Sequence, residues 1–160
     1  MDMDQDKALR KQLTQLLRGG EAFRPVEEVL QGITAAEAGQ TVQQLPYTIW
    51  QLMEHLRFAL YDILEFSRNP AYTAPAWPDD YWVSETAPAD QAKLEASLQA
   101  IQEGIEQMVQ RVQDTTQDLF TPFAHGDGQN LLREAMLIAE HNAYHLGEIV
   151  VLRRLLGNWE

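Results

Sequence analysis

The chain contains no cysteine. Disulfides, thiolate metal ligands and a cysteine nucleophile are excluded together, so any metal must be held by histidine, carboxylate, carbonyl or water. Positive charge is also scarce: 12 lysines and arginines stand against 24 acidic residues, a formal charge of −12. A surface of that sign repels nucleic-acid phosphates and anionic lipid, so neither is an expected partner. The adjacent pair Arg153-Arg154 falls at the end of the last predicted helix. Cations there complement the helix dipole, which explains them structurally. No run approaches the roughly 20 apolar residues of a membrane span. The N-terminus, M-D-M-D-Q-D-K, lacks the basic and apolar regions of a signal peptide. These absences lead to the expectation of a soluble cytoplasmic protein. No segment alternates polar and apolar residues convincingly, and no Ser-His-Asp pattern, phosphate loop or dinucleotide fingerprint is present.

What is present is helical periodicity. A length of 160 residues fits one domain, residues 1–160, with a real hydrophobic core. Four segments carry apolar residues at steps of three and four. The first spans about residues 4–18, with Leu9, Leu13 and Leu16 on one face, and stops at Gly19-Gly20. The second starts at Thr48, whose T-x-x-Q spacing to Gln51 is a capping box. Its stripe is Ile49, Leu52, Leu56, Ala59, Ile63 and Phe66, and Asn69-Pro70 ends it. The third begins near Asp90, with Leu94, Leu98, Ile101, Ile105, Met108 and Val112 in register. The fourth runs from about 129 to 156 and closes on Gly157. Shorter signals lie between the first two, where Pro25 opens one short helix and Thr34 and Glu37 form another capping box. A proline-rich stretch over residues 70–88 has no helical period and carries Tyr72, Trp77, Tyr81 and Trp82. A loop so long and aromatic packs over the bundle, and a lid over a site has the same geometry. Four long amphipathic helices and one long crossover predict an all-α four-helix bundle.

Histidine placement gives the chemistry. His141 and His145 are four residues apart and point the same way from one helix face. They sit in a seam of Leu131, Glu134, Ile138, His141, His145, Glu148, Leu152 and Leu155, whose steps are those of a core-facing stripe. Burying two imidazoles costs free energy unless each nitrogen finds a partner. His55 borders the apolar stripe of the second helix. If the second and fourth helices are neighbours, three imidazoles converge and leave an open fourth position, the ligand set of a catalytic zinc site. The competing reading makes all three hydrogen-bonded core residues. His125, in the turn-rich A-H-G-D-G, reads as a loop residue that reaches the site only if the bundle end folds over it. Glu54, Glu140 and Tyr144 each immediately precede a candidate ligand and point about 100° away from it. They read as surface or supporting groups rather than catalytic bases. Glu148 reads either as a support for the histidines or as a solvated residue near the helix end.

The order W-x4-H (Trp50, His55), then the W-P-x2-Y-W loop, then H-x2-Y-H-x-G (His141, Tyr144, His145, Gly147) resembles the DinB/YfiT-like superfamily along essentially the whole chain, including the early L-R-G-G-E segment. That resemblance implies a four-helix bundle of up-down-down-up type with a divalent metal on His55, His141 and His145, zinc or nickel being the expected ions. Many relatives have glutamine where this chain has Glu148, which alters hydrogen bonding around the metal. The family's activities include transfer or isomerisation dependent on a low-molecular-weight thiol, and metal-dependent hydrolysis. The implied function is a metal-dependent transferase, isomerase or hydrolase with a small-molecule substrate, acting as a homodimer, without nucleic acid or membrane. The alternative is a stress-associated binding or scaffold protein with a structural or vestigial metal site. The residues identify neither catalytic nor cofactor-binding groups beyond the histidines.

Overall fold

A computed structural model describes residues 2–159 and is helical throughout its regular elements. Helix α1 (Met3–Arg18) leads to two short helices, α2 (Val26–Leu30) and α3 (Ala35–Ala38). Three long helices follow: α4 (Ile49–Arg68), α5 (Gln91–Gln113) and α6 (Leu131–Leu156). Side-chain caps set the starts. Asp2, Thr34 and Thr48 form capping boxes with Gln5, Glu37 and Gln51, while Asp90 and Asn130 cap α5 and α6. Gly157 ends α6 in the left-handed conformation, at φ 78°.

Cross-helix contacts give the directions. Arg10 meets Val112, and Arg18 meets Glu106, so α1 and α5 run antiparallel. Glu54 meets Ser97 and Arg68 meets Gln107, so α4 and α5 run parallel. His55 meets His141 while Tyr47, just ahead of α4, meets Glu148, so α4 and α6 run antiparallel. The bundle is therefore up-down-down-up. Parallel neighbours require a connection that travels back along the bundle, and the 69–90 segment makes that return. It is pinned at the start of α4 by Thr48 Oγ1, which donates to the Thr86 carbonyl, and by Gln51 Nε2, which donates to the Val83 carbonyl.

The core is continuous across all four long helices, with Leu17, Leu52, Leu56, Ile101, Met108, Ile138 and Ile149 essentially sealed from solvent. Leu16, Leu155 and the half-buried Phe66 are expected stripe residues that lie outside it. Leu16 is 40 % exposed, because α1 buries Arg10, Leu13, Thr14 and Leu17 instead. The rotation follows from Arg10, whose guanidinium donates to the carbonyls of Val112, Asp114 and Gln117 at the end of α5. Val112 lies in the last turn of α5, where carbonyls have no partner within the helix, and Asp114 and Gln117 follow it, so one buried arginine ties down the helix end and the turn beyond it. Leu155 is likewise 49 % exposed. Its place is taken by Arg153, which is buried and donates to the Val29 and Gln31 carbonyls. Arg153 is thus a clamp between α6 and α2 rather than a dipole-complementing surface charge; Arg154 remains exposed.

Candidate metal centre

The antiparallel pairing of α4 and α6 brings His55, His141 and His145 together near the start of α4. One ligating atom from each lies within 4.8 Å of the others. His55 and His145 are buried, and His141 is partly buried. The closest approach is between Nε2 of His55 and Nε2 of His141, at 3.1 Å. On a tetrahedron with zinc–nitrogen bonds of about 2.0 Å, neighbouring nitrogens stand about 3.3 Å apart. The His55–His141 pair therefore matches the spacing of neighbouring metal ligands, and His145 stands within 4.8 Å of both.

The other ring nitrogens decide which lone pairs are available. His55 Nδ1 lies 3.0 Å from the Tyr81 carbonyl oxygen, which can only accept, so Nδ1 carries the proton and Nε2 presents its lone pair to the cluster. His145 Nδ1 lies 2.6 Å from Glu148 Oε2, and donation to that carboxylate again leaves Nε2 free. Glu148 is itself held, because Tyr47 donates its hydroxyl to Oε1 at 2.7 Å. That bond, together with burial, pushes the Tyr47 phenol up to about 12. The result is a Tyr47–Glu148–His145 chain that fixes one imidazole in tautomer and direction.

Electrostatics keep His55 and His141 neutral. Burial, joined by repulsion from His145 and His55, pushes the His141 imidazole down to about 3. Burial also lowers His55, outweighing the bond to Tyr81. Neutral imidazoles offer lone pairs to a metal without competition from protons near pH 7. The return segment supplies much of this desolvation. Trp82 lies flat on His55, with ring centroids 4.0 Å apart and planes 5° from parallel, and Tyr47 stacks in turn on Trp82. Packing and lid therefore describe the same contact.

The remaining candidates separate clearly. His125 does not join the cluster. Its Nε2 bonds to the Phe66 carbonyl at 2.7 Å, at the far end of α4, and its ring stacks on Phe123. Glu54 is buried against α5, where Arg57 and Ser97 bond to it. Burial pushes its carboxyl up, but those bonds outweigh it and hold it below the usual range. Glu140 is exposed, and Tyr144 is exposed with only its edge against His145. Glu148, left open by the sequence, bonds to a histidine of the cluster. Tyr47, the Tyr81 carbonyl and the Trp82 face were missed by sequence reasoning. Only the aromatic richness of the 70–88 stretch hinted at the last two.

Three imidazoles this close, with the Nδ1 atoms of His55 and His145 committed elsewhere, are compatible with a metal-binding site. Among the described residues, no helix is long and apolar enough to cross a membrane. A family model described as the DinB superfamily matches residues 8–149. No curated protein and no solved structure matches the chain.

Proposed function

Because the chain belongs to the DinB superfamily, we propose that His55, His141 and His145 hold one divalent transition metal, zinc or nickel, and that the protein is a metal-dependent enzyme acting on a small molecule. The observation that carries this reading is the convergence of ring nitrogens whose opposite nitrogens are already committed, to Tyr81 in one case and Glu148 in another. A hydrogen bond accounts for the His55–His141 contact by itself, but not for the third imidazole, His145, brought within 4.8 Å of both. When bound, the metal supplies Lewis acidity that lowers the pKa of a coordinated water or thiol. The chain's own residues do the rest. Glu148 accepts from His145 Nδ1 and so orients the ring, and Tyr47 holds Glu148 in place. Trp82 keeps water from one face of His55. With no cysteine in the chain, a sulfur nucleophile would come from a low-molecular-weight thiol co-substrate. Thiol-dependent transfer or isomerisation and hydrolysis are the reaction classes that this donor set supports.

The test is elemental analysis of protein purified without a histidine tag, followed by cobalt substitution. About one metal per chain is expected. The cobalt spectrum should respond to a small thiol, with the response lost in His55→Ala. A metal-free protein sinks the reading. A spectrum insensitive to thiols and other small ligands would mean a closed coordination shell and a structural site, the property of a scaffold.

A further inference from the structure

A groove of about 1170 Å³ runs between α1 and the segment that follows α5. Arg10, in its wall, bonds to the Val112 carbonyl at the end of α5. Since α5 runs parallel to α4, the groove lies at the opposite end of the bundle from the start of α4, where His55 stands. Lys7, Lys11, Thr14 and Arg18 all line it. They share one face of α1, because residues at steps of three and four stack along a helix. The other wall includes Asp118 and Phe120.

Most charged groups in this groove are already committed. Asp6 accepts from Arg10, whose other donors go to the carbonyls of Val112, Asp114 and Gln117. Arg18 holds Glu106 by two bonds. Asp2 accepts from the Gln5 amide, and Asp118 accepts from the Phe120 amide and the Thr121 hydroxyl. Two cations are left over. Among the described residues neither Lys7 nor Lys11 stands in an ion pair. The chain carries 24 acidic residues against 12 basic ones, so carboxylates for pairing are in excess. Two free lysines one turn apart therefore form a local positive patch on an acidic molecule. Thr14 adds a third uncommitted donor: it is 7 % exposed, and its Oγ1 has no hydrogen-bond partner. A buried hydroxyl without a partner costs free energy that a ligand acceptor would recover. Beside these donors lie open apolar side chains, with Met3 89 % and Phe120 46 % exposed.

We propose that this groove binds a small organic anion, with its carboxylate or phosphate between Lys7 and Lys11, accepting from the Thr14 hydroxyl, and its aromatic or alkyl body against Phe120 and Met3. The uncommitted groups decide the class: the free charges are both positive, and the open surface beside them is apolar. Two cations suit a single anionic group and are too few to follow a nucleic-acid backbone. The volume is ample, since small-molecule pockets run to about 300–1,000 Å³. The site shares no residue with the histidine cluster, so the inference is independent of the metal reading and stands or falls separately.

Naphthalene ligands that differ chiefly in charge make the test: 1-naphthyl phosphate, 1-naphthoate, neutral 1-naphthol and cationic 1-naphthylmethylamine. Each is titrated into the intact chain and followed by calorimetry and by amide NMR. At least one anion should bind, and the neutral and cationic compounds should bind about ten-fold more weakly or worse. The tighter anion tells carboxylate from phosphate. Inorganic phosphate alone should bind more weakly than naphthyl phosphate, because it has no apolar body. NMR changes should centre on Lys11, Thr14 and Phe120 and spare His55, His141 and His145. Lys7→Ala and Lys11→Ala should each weaken binding about two- to five-fold, and Lys7→Glu with Lys11→Glu about ten-fold or more. Lys93→Ala, outside the groove, should change nothing. Thr14→Val should weaken binding without destabilising the fold, because it removes a hydroxyl that has no partner in the chain. The exposed lysines keep the test decisive if the valine variant folds poorly. No anion binding at millimolar concentration overturns the proposal. So does binding indifferent to the ligand's charge or to both lysines, or NMR change centred on the histidines. Binding of hexaglutamate in place of the naphthalenes would assign the groove to an acidic protein segment and overturn the small-ligand reading.

Discussion

Removing the Glu148 carboxylate should weaken metal binding without touching a ligand. The carboxylate accepts from His145 Nδ1 at 2.6 Å and from the Tyr47 hydroxyl at 2.7 Å. Glu148→Ala deletes both acceptors, so the His145 ring loses its tautomer preference and its negative neighbour together. Hydrogen bonds to charged groups contribute about 1.5–3 kcal/mol. Loss of a group that orients a metal-bound histidine costs about 10–100-fold in affinity, or roughly 1.4–2.7 kcal/mol. The two ranges overlap, so the zinc dissociation constant should rise by about 10–100-fold. The Glu148 side chain is 25 % exposed, so water can replace part of what is lost, and the lower half of that range is expected. Glu148→Gln keeps one acceptor oxygen for His145 but removes the charge, and should fall between the intact chain and the alanine variant. Tyr47→Phe leaves the His145 contact in place and should change affinity least. Competition titration against a chelator of known zinc affinity at pH 7 measures all three. A dissociation constant for Glu148→Ala within about two-fold of the intact chain, well short of the expected loss, would show that this contact does not hold the imidazole for the metal.

Four further outcomes are expected. His55→Ala and His141→Ala should each abolish stoichiometric metal binding while His125→Ala retains it, because His125 bonds to the Phe66 carbonyl at the other end of α4; elemental analysis decides, and equal effects would undo the assignment. Chelation should leave the far-ultraviolet circular dichroism of the bundle intact, since the core is continuous without the histidines; loss of most helical signal would make the metal structural. The metal-free protein should lose stability as pH falls below about 6.5, the usual histidine value, and continue losing it toward the folded His141 value of about 3. In that window the unfolded chain binds a proton that the folded chain refuses, at up to about 1.4 kcal/mol per pH unit. Urea unfolding of the chelated protein at pH 7 and pH 5 should therefore show a gap that narrows in His141→Leu, and identical gaps would refute the burial argument. Duplex DNA should not bind at physiological salt, because a chain of charge −12 has no basic stripe to neutralise phosphates; a salt-sensitive gel shift at sub-micromolar protein would contradict this.

The sequence by itself determined the long helices, several of their caps and the three histidines that the fold brings together. Thr48 with Gln51, Asn69 before Pro70, and Gly157 mark real ends, because caps and breakers act through local hydrogen bonds and backbone angles. The apolar steps of the second and third long helices found one line of each buried face, but missed Trp50, Met53, Leu60 and Leu64 in α4 and Ser97, Gly104 and Val109 in α5, which broaden that face to pack against more than one neighbour. The H-x3-H pair had to share a face wherever α6 packed. Periodicity also tied His55 to a core-facing stripe, although it could not say which helix that stripe would meet. Tertiary structure decided the rest. The pairing of α4 with α6 turned three scattered histidines into one cluster. Burial of Arg10 and Arg153 moved Leu16 and Leu155 out to the surface, because carbonyls at the end of α5 and α2 needed donors more than two leucines needed cover. The partners that fix the imidazoles were equally illegible. The Tyr81 carbonyl could belong to any residue type, and Tyr47 meets Glu148 across 101 positions of sequence. A side-chain period fixes the direction in which a residue points; only packing determines what stands opposite it.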